Sequence, residues 1–390
     1  MRANPSLEVL LPARLTDVLS PLQPRMLRDL ELLVSSESPS EQRTHLGMAA
    51  DAVSAVGKSL LGSEPVFISG EGCDHLLWRL GNNPRVLILG HYDTVWPLGT
   101  IERWPFSVDG DKATGPGSFD MKAGLVQAFY AIHALGCPDG VQILVTGDEE
   151  IGSPSSRVLI EEVASGVEAV LVLEASLDGA LKTSRKGCGM YQLHIQGRAS
   201  HAGLDPEAGI NATLEAAHQI LVVDALKDTS MGTSVTSTTL RSGEASNQVP
   251  ASATLDIDVR AASIAELERV DAALRRLQPM IEGATLKLQG GIDRGPLEQT
   301  MASALYMRAR EVAGNLGLPP LLEAMAGGTS DGNLTAALGI PTLDGLGAVG
   351  SGAHSEGEWV QVSTMPQRAA LLAGLVGSLL VSPIDSAGTL

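Results

Sequence analysis

The chain has 390 residues, 44% hydrophobic and 18% charged, with a formal net charge of -18. That is enough apolar material for two cores, and the negative balance disfavours nucleic acid or an anionic membrane as partner. Three widely spaced cysteines, Cys73, Cys137 and Cys188, indicate neither a disulfide framework nor a thiolate zinc site. The stretch Leu7-Glu8-Val9-Leu10-Leu11-Pro12 is too short and interrupted for a signal-peptide core. No run approaches transmembrane length, so a cytoplasmic location is expected.

From about residue 25 to 185, strand and helix patterns alternate. Val86-Leu87-Ile88-Leu89, Val141-Gln142-Ile143-Leu144-Val145 and Val170-Leu171-Val172-Leu173 are short apolar runs, as strands buried on both faces of a mainly parallel sheet require. A helix is expected over residues 121–135, closed by Gly136. Beyond Gly187 the pattern changes: Tyr191-Gln192-Leu193-His194-Ile195-Gln196 and Leu255-Asp256-Ile257-Asp258-Val259-Arg260 alternate apolar with polar, the mark of strands with one solvated face. Helices are expected over residues 210–226 and from Ser263, where Glu266 three residues on forms a capping box, through Leu277. With strands at 234–240 and 286–288 the order is βαββαβ, a ferredoxin-like insert. The α/β pattern resumes near Leu297, with helices over 302–313, 335–338 and 365–381 and a strand at 341–343. The fold class is therefore α/β: a discontinuous catalytic domain over 1–186 and 297–390, and an inserted α+β domain over 187–296.

Ligands of open parallel sheets gather outside the carboxyl ends of the strands, and the chemistry-bearing residues fall there. Two neighbouring divalent cations need a carboxylate to bridge them, plus a histidine and a carboxylate for each. Asp120 is the candidate bridge, His91 with Glu174 completes one ion, and His354 with Glu150 completes the other. Asp93, two residues after His91, is placed to accept from the imidazole and fix its tautomer. Glu149, left over as a ligand, stands as general base, its proton later passing to the leaving amine. Any of these residues alone is ordinary; together, with no cation, they would crowd several uncompensated negative charges on one sheet edge. The set points to a metallohydrolase.

Gly90-His91-Tyr92-Asp93-Thr94-Val95, Gly117-Ser118-Phe119-Asp120-Met121-Lys122, Gly147-Asp148-Glu149-Glu150, Ala199-Ser200-His201-Ala202-Gly203, Gly328-Thr329-Ser330-Asp331-Gly332 and Gly352-Ala353-His354 resemble, in order and over nearly the whole chain, a di-zinc metallopeptidase family. It includes acetylornithine deacetylase, succinyl-diaminopimelate desuccinylase, aminoacylases and bacterial glutamate carboxypeptidase, with the strongest likeness to the last. The resemblance implies two Zn2+, with Mn2+ or Co2+ acceptable to such a carboxylate-rich site, a cis peptide after Asp120, and a homodimer through an insert that also acts as a lid. It implies that His201 stabilises the oxyanion, that Asn247 and Arg260 hold a substrate carboxylate, and that Gly328 lies close to substrate. The expected substrate is an N-acyl amino acid or short peptide with a free carboxylate, with plain aminoacylase activity as the alternative. Arg260 shares its strand face with Asp256 and Asp258, so a surface ion pair explains it equally well. Lys182, Arg185 and Lys186 add positive charge before the insert, with at least one expected in a solvated hinge. Gly345-Leu346-Gly347-Ala348-Val349-Gly350 matches a dinucleotide fingerprint after a strand, but no βαβ unit follows it.

Overall fold

The computed structural model describes residues 13–384, so the interrupted apolar stretch at 7–12, and what was expected of it, lie outside the described residues. Packing divides the chain into two compact units. Among the described residues, one comprises 13–184 with Gln299–Met325 and 330–384; the other comprises Arg185–Glu298 with Ala326–Thr329.

The first unit is built on a six-stranded sheet in the order Val66–Ser69, Asp74–Leu80, Val141–Thr146, Val86–His91, Ala169–Val172, Thr342–Leu343. The last four run parallel, and Asp74–Leu80 is antiparallel to both its neighbours. Every residue of Val86–His91 and Val141–Thr146 is buried, which is why their sequences are unbroken apolar runs. Helices Arg157–Ala164 and Asp331–Ala337 share a core with Leu87, Leu89, Leu144, Val170 and Val172. Helices Ala123–Ala134 and Met365–Val381 pack on each other and on Val86–His91.

Three features of this unit depart from the sequence expectation. Helices Ala13–Leu19, Gln23–Ser35 and Arg43–Leu61 precede the first strand. By length and composition, Val362–Val381 could cross a membrane, although no run was expected to; 67% of its apolar window is buried within the protein. A helix enclosed by neighbours must be apolar on all sides, so composition alone does not separate it from a membrane span. The third is a small antiparallel sheet that pairs Gly350–Ser351, Trp359–Gln361, Lys112–Thr114 and Ser107–Asp109 in that order.

The second unit carries a four-stranded antiparallel sheet in the order Ser234–Ser242, Ser252–Ala261, Gly187–Gln196, Thr285–Arg294, with helices Ala212–Asp224 and Ile264–Leu274. This is the ferredoxin-like order. Along Ser252–Ala261 burial alternates residue by residue, and Leu193, Ile195, Leu255, Ile257 and Val259 meet Leu267, Val270 and Leu274 in one core. The helix stops at Leu274, short of Leu277. Its expected capping box is one-sided: Ser263 accepts from the Glu266 amide, while the Glu266 carboxylate is held by Arg269 and Thr233. A reciprocal box forms instead at Ser330 and Asn333, and it starts helix Asp331–Ala337, four residues ahead of the expected start at 335.

Candidate metal centre

His91 ends its strand, Glu174 lies two residues past Ala169–Val172, and Glu149 and Glu150 begin a short turn after Val141–Thr146. Because these strands are parallel, one sheet edge gathers all four. Asp120 comes in the turn Ser118–Lys122, and the peptide bond after it is cis, as expected. Two groups result, His91 with Asp120 and Glu174, and Asp120 with Glu150 and His354. His91 Nε2 is 3.6 Å from both Asp120 Oδ1 and Glu174 Oε1. His354 Nε2 is 3.4 Å from Asp120 Oδ2 and 3.1 Å from Glu150 Oε2. Ligand bonds of about 2.0–2.2 Å in tetrahedral array set ligand atoms about 3.3–3.6 Å apart, so the spacing fits a small divalent cation in each group. Asp120 Oδ1 and Glu150 Oε1 are buried without a hydrogen-bond donor, a costly state for carboxylate oxygens that a cation would relieve.

Asp93, fully buried, does more than accept from His91. The His91 Nδ1 is 3.0 Å from the Asp93 main-chain carbonyl and 3.4 Å from its carboxylate. The carboxylate takes the amides of Glu149 and Glu150, each at 3.1 Å, and the Ser40 hydroxyl at 2.7 Å. It therefore fixes the imidazole and the acidic turn together. Asp148 anchors the other side of that turn, accepting from the amides and hydroxyls of Ser155 and Ser156. His75 Nδ1 accepts from the Gly147 amide, which leaves Nε2 to donate to Ser155 Oγ. Cys73, His75 and Asp148 thus form a third group of ligand-type atoms. Here the Ser155 hydroxyl fills the gaps, and burial pushes the Cys73 thiol up to about 12. This network holds a loop and was not legible in the sequence, since Ser155 and Ser156 sit in an irregular turn that no periodicity marks.

Electrostatics follow from the crowding. Burial opposes charge on His91, but Asp120, Asp93 and Glu174 outweigh it and hold the ring well above the usual imidazole value. Hydrogen bonds to Asp120 and Glu150 raise His354 to about 10. Burial pushes Asp120 up, yet His354 and His91 hold its carboxyl far below the usual range. Glu149 goes the other way: burial raises it well above an ordinary carboxylic acid, against the pull of His91 and with help from Asp331, Glu174 and Glu150. Lys182, missed as a site residue, brings its Nζ within 3.8 Å of Glu174 Oε2. Arg185 is buried, and Lys182 and Lys186 are half-buried.

The dinucleotide-like glycines have a local purpose. A Cβ on Gly347 would come within 2.1 Å of the Leu173 carbonyl oxygen, and its amide donates to Glu174 O at 2.9 Å. The buried guanidinium of Arg368 donates to the carbonyls of Gly345, Gly347 and Gly179. The loop thus props the strand end that presents Glu174.

A sequence profile of peptidase family M20/M25/M40 matches residues 87–378. The chain belongs to this family. It is 32% identical to Carboxypeptidase G2 of Pseudomonas sp. (strain RS-16) over 92% of this chain and 90% of that one. It is 26% identical to a succinyl-diaminopimelate desuccinylase of Methylococcus capsulatus over 76% and 84% of the two chains. Its fold matches aminopeptidase PepT of Bacillus cereus at a TM-score of 0.73 and 19% identity, over 92% and 99% of the two chains. As an M20 peptidase it is a metallohydrolase acting on a peptide or acyl amino acid.

The remaining candidates in this M20 chain lie in the second unit. His201 is exposed on a two-stranded ribbon opposite Gln248, and its Nδ1 accepts from the amides of Gly203 and Leu204, each at 3.1 Å. That leaves Nε2 as the donor. Asn247 is exposed in the turn just before Gln248, its carbonyl accepting from the Ala202 amide. Arg260 is bound by Asp258 through Nε and Nη2, both at 2.9 Å, the ion pair that the sequence had left open. Asp256 pairs separately with Arg241. Gly328 groups with this unit, and its carbonyl accepts from Arg185 Nη1 at 3.1 Å.

Proposed function

We propose that the chain cleaves the amide bond of an N-acyl amino acid or short peptide that keeps a free C-terminal carboxylate, in the manner of a glutamate carboxypeptidase. It would do so with two zinc ions, or manganese or cobalt in their place, and as a homodimer joined through the insert. Asp120 carries the reading: its two oxygens each face a separate histidine with its own carboxylate partner. Likeness to Carboxypeptidase G2 across most of both chains supports the substrate class.

His91, Asp120 and Glu174 would hold one cation and Asp120, Glu150 and His354 the other, supplying polarisation of the scissile carbonyl and acidification of water. Glu149 takes the proton of the attacking water on its carboxylate and delivers it to the leaving amine nitrogen. His201, with Nδ1 tied to backbone amides, donates from Nε2 to the oxyanion. Asn247, the Gly328 backbone and the Arg260 donors not spent on Asp258 receive the carboxylate. The test is hydrolysis of a panel of N-acyl amino acids, dipeptides and folate by purified protein, before and after chelation. Activity lost with chelator and restored by zinc, manganese or cobalt is expected; chelator-resistant cleavage, or none on any member of the panel, would refute the reading.

A further inference from the structure

Within the first unit, residues 318–322, the turn at 178–180 and helix Met365–Val381 enclose a hollow of about 240 Å³. Neither Glu149 nor any of the candidate metal ligands lines it. We propose that it is a second small-molecule site, one that takes a carboxylate borne on an aromatic ring or branched chain, with Arg368 as its counter-ion.

Arg368 is a buried cation that the fold leaves without an anion. It lines the hollow and is only 5% exposed. Nε donates to Gly347 O at 2.9 Å, Nη1 to Gly179 O at 3.2 Å and Nη2 to Gly345 O. A guanidinium has five N–H groups, so one on each Nη is not spent on these carbonyls. Burial alone pulls Arg368 down to about 10, with no carboxylate near enough to oppose it, so the group stays charged at neutral pH. A buried charge is costly until it is paired, and the planar fork of Arg matches a carboxylate. Among the described residues lining the hollow, Asp178 is the other charged one. It is exposed, where water screens it, and it does not neutralise Arg368.

The rest of the wall is apolar and held in place. Leu318, Pro319 and Leu322 face the hollow with Leu371 and Val349. The two prolines at 319 and 320 fix their own φ. Tyr306 Oη donates to Leu321 O at 3.0 Å, and the Leu181 amide to Leu322 O at 2.9 Å. Leu322 remains 67% exposed, an apolar side chain left at the edge of a concavity. An apolar pocket with one placed polar anchor is the usual form of a small-molecule site. A cavity of about 150 Å³ already accommodates benzene, so a ring with its carboxylate fits this one. The anchor is also the group that holds the loop behind Glu174, since Arg368 takes the Gly345 and Gly347 carbonyls and the Gly347 amide donates to Glu174 O. Amide hydrolysis releases the acyl part as a carboxylic acid, so the product belongs to the class this hollow takes. That link rests on the function proposed above; binding in the hollow does not.

The experiment titrates the metal-loaded protein with benzoate, acetate and benzamide by calorimetry. One benzoate per chain is expected, bound about tenfold or more tighter than acetate, which lacks the ring, and than benzamide, which lacks the charge. Arg368→Gln should abolish the preference for benzoate over benzamide. Because Arg368 also holds three carbonyls, Gln367→Glu repeats the test without touching them: Gln367 lines the same hollow, and a negative charge there should weaken benzoate by about tenfold and leave benzamide within about threefold. Leu322→Asp should weaken benzoate by a similar factor. Benzoate binding that these substitutions leave unmoved, or that a chelator abolishes, belongs to the cations and overturns the second site, as does the absence of saturable binding. Those results leave the hydrolase reading intact, and a failure of the hydrolysis panel leaves the benzoate titration standing.

Discussion

Replacing Asp93 with Asn keeps the side chain's size and removes one acceptor. The native carboxylate, itself fully buried, takes Glu149 N on Oδ1, and Glu150 N with Ser40 Oγ on Oδ2. An amide has one acceptor oxygen, so in either orientation its NH2 group confronts one of the two backbone N–H groups. A hydrogen bond to a buried charge is worth about 1.5–3 kcal/mol. If that energy holds Glu149 and Glu150 in their reactive arrangement, kcat/KM should fall about 10- to 150-fold. Loss of the negative charge 3.4 Å from His91 Nδ1, whose hydrogen bond to the Asp93 main-chain carbonyl remains, should also weaken metal retention, by about 10- to 100-fold. The assay has two arms: metal per chain after dialysis against graded chelator, and kcat/KM with metal restored to saturation. A loss in kcat/KM that persists at saturating metal identifies the turn as displaced, whereas one abolished by metal would locate the effect in the ligands alone. If Asp93→Asn changes both readouts by less than about threefold, a shift worth well under 1 kcal/mol, the claim that this carboxylate ties the imidazole to the acidic turn is wrong.

Glu149→Gln should retain bound metal while turnover drops by roughly 10² to 10⁴, the scale of a positioned general base; near-normal turnover would remove Glu149 from proton transfer. Arg260→Ala should mainly raise KM for substrates with a free α-carboxylate, and an equal loss on amidated analogues would leave Arg260 as the partner of Asp258 only. His75 is held below its ordinary pKa by burial, against the opposing pull of Asp148, Asp93 and Asp74. Its neutral form therefore belongs to the fold, and the unfolded chain binds the extra proton: its contribution is complete above the unfolded value of about 6.5 and declines as pH falls below it. Urea unfolding midpoints at pH 7.5 and 5.5 should show a smaller acid-induced drop in His75→Gln than in the native protein, and equal drops would refute that assignment.

Much of this protein was legible in one dimension because the relevant physics is local. The unbroken runs 86–89 and 141–145 signalled strands buried on both faces, and alternation over 255–260 signalled a strand with one wet face, since side chains alternate across every strand. The ligand set could be assembled from types and positions because parallel strands bring their carboxyl ends to one edge. What was misread depended on partners chosen elsewhere in the chain. Glu266 had the spacing of a capping box, but Arg269 offered a charged partner, and Ser330 with Asn333 made the reciprocal cap inside the segment read as lying close to substrate. The final helix was expected over 365–381, but its membrane-span length and composition were not recognised.

The sequence by itself determined the two-part α/β and ferredoxin-like organisation, the family, and which side chains are available for a pair of cations. Tertiary structure decided how those side chains converge. Pairing of Trp359–Gln361 with both Lys112–Thr114 and Gly350–Ser351 joins the segments that carry Asp120 and His354, and Asp93 and Asp148 clamp the turn between them. Such contacts join residues far apart along the chain through hydrogen bonds with no periodic signature, so only the folded backbone specifies them.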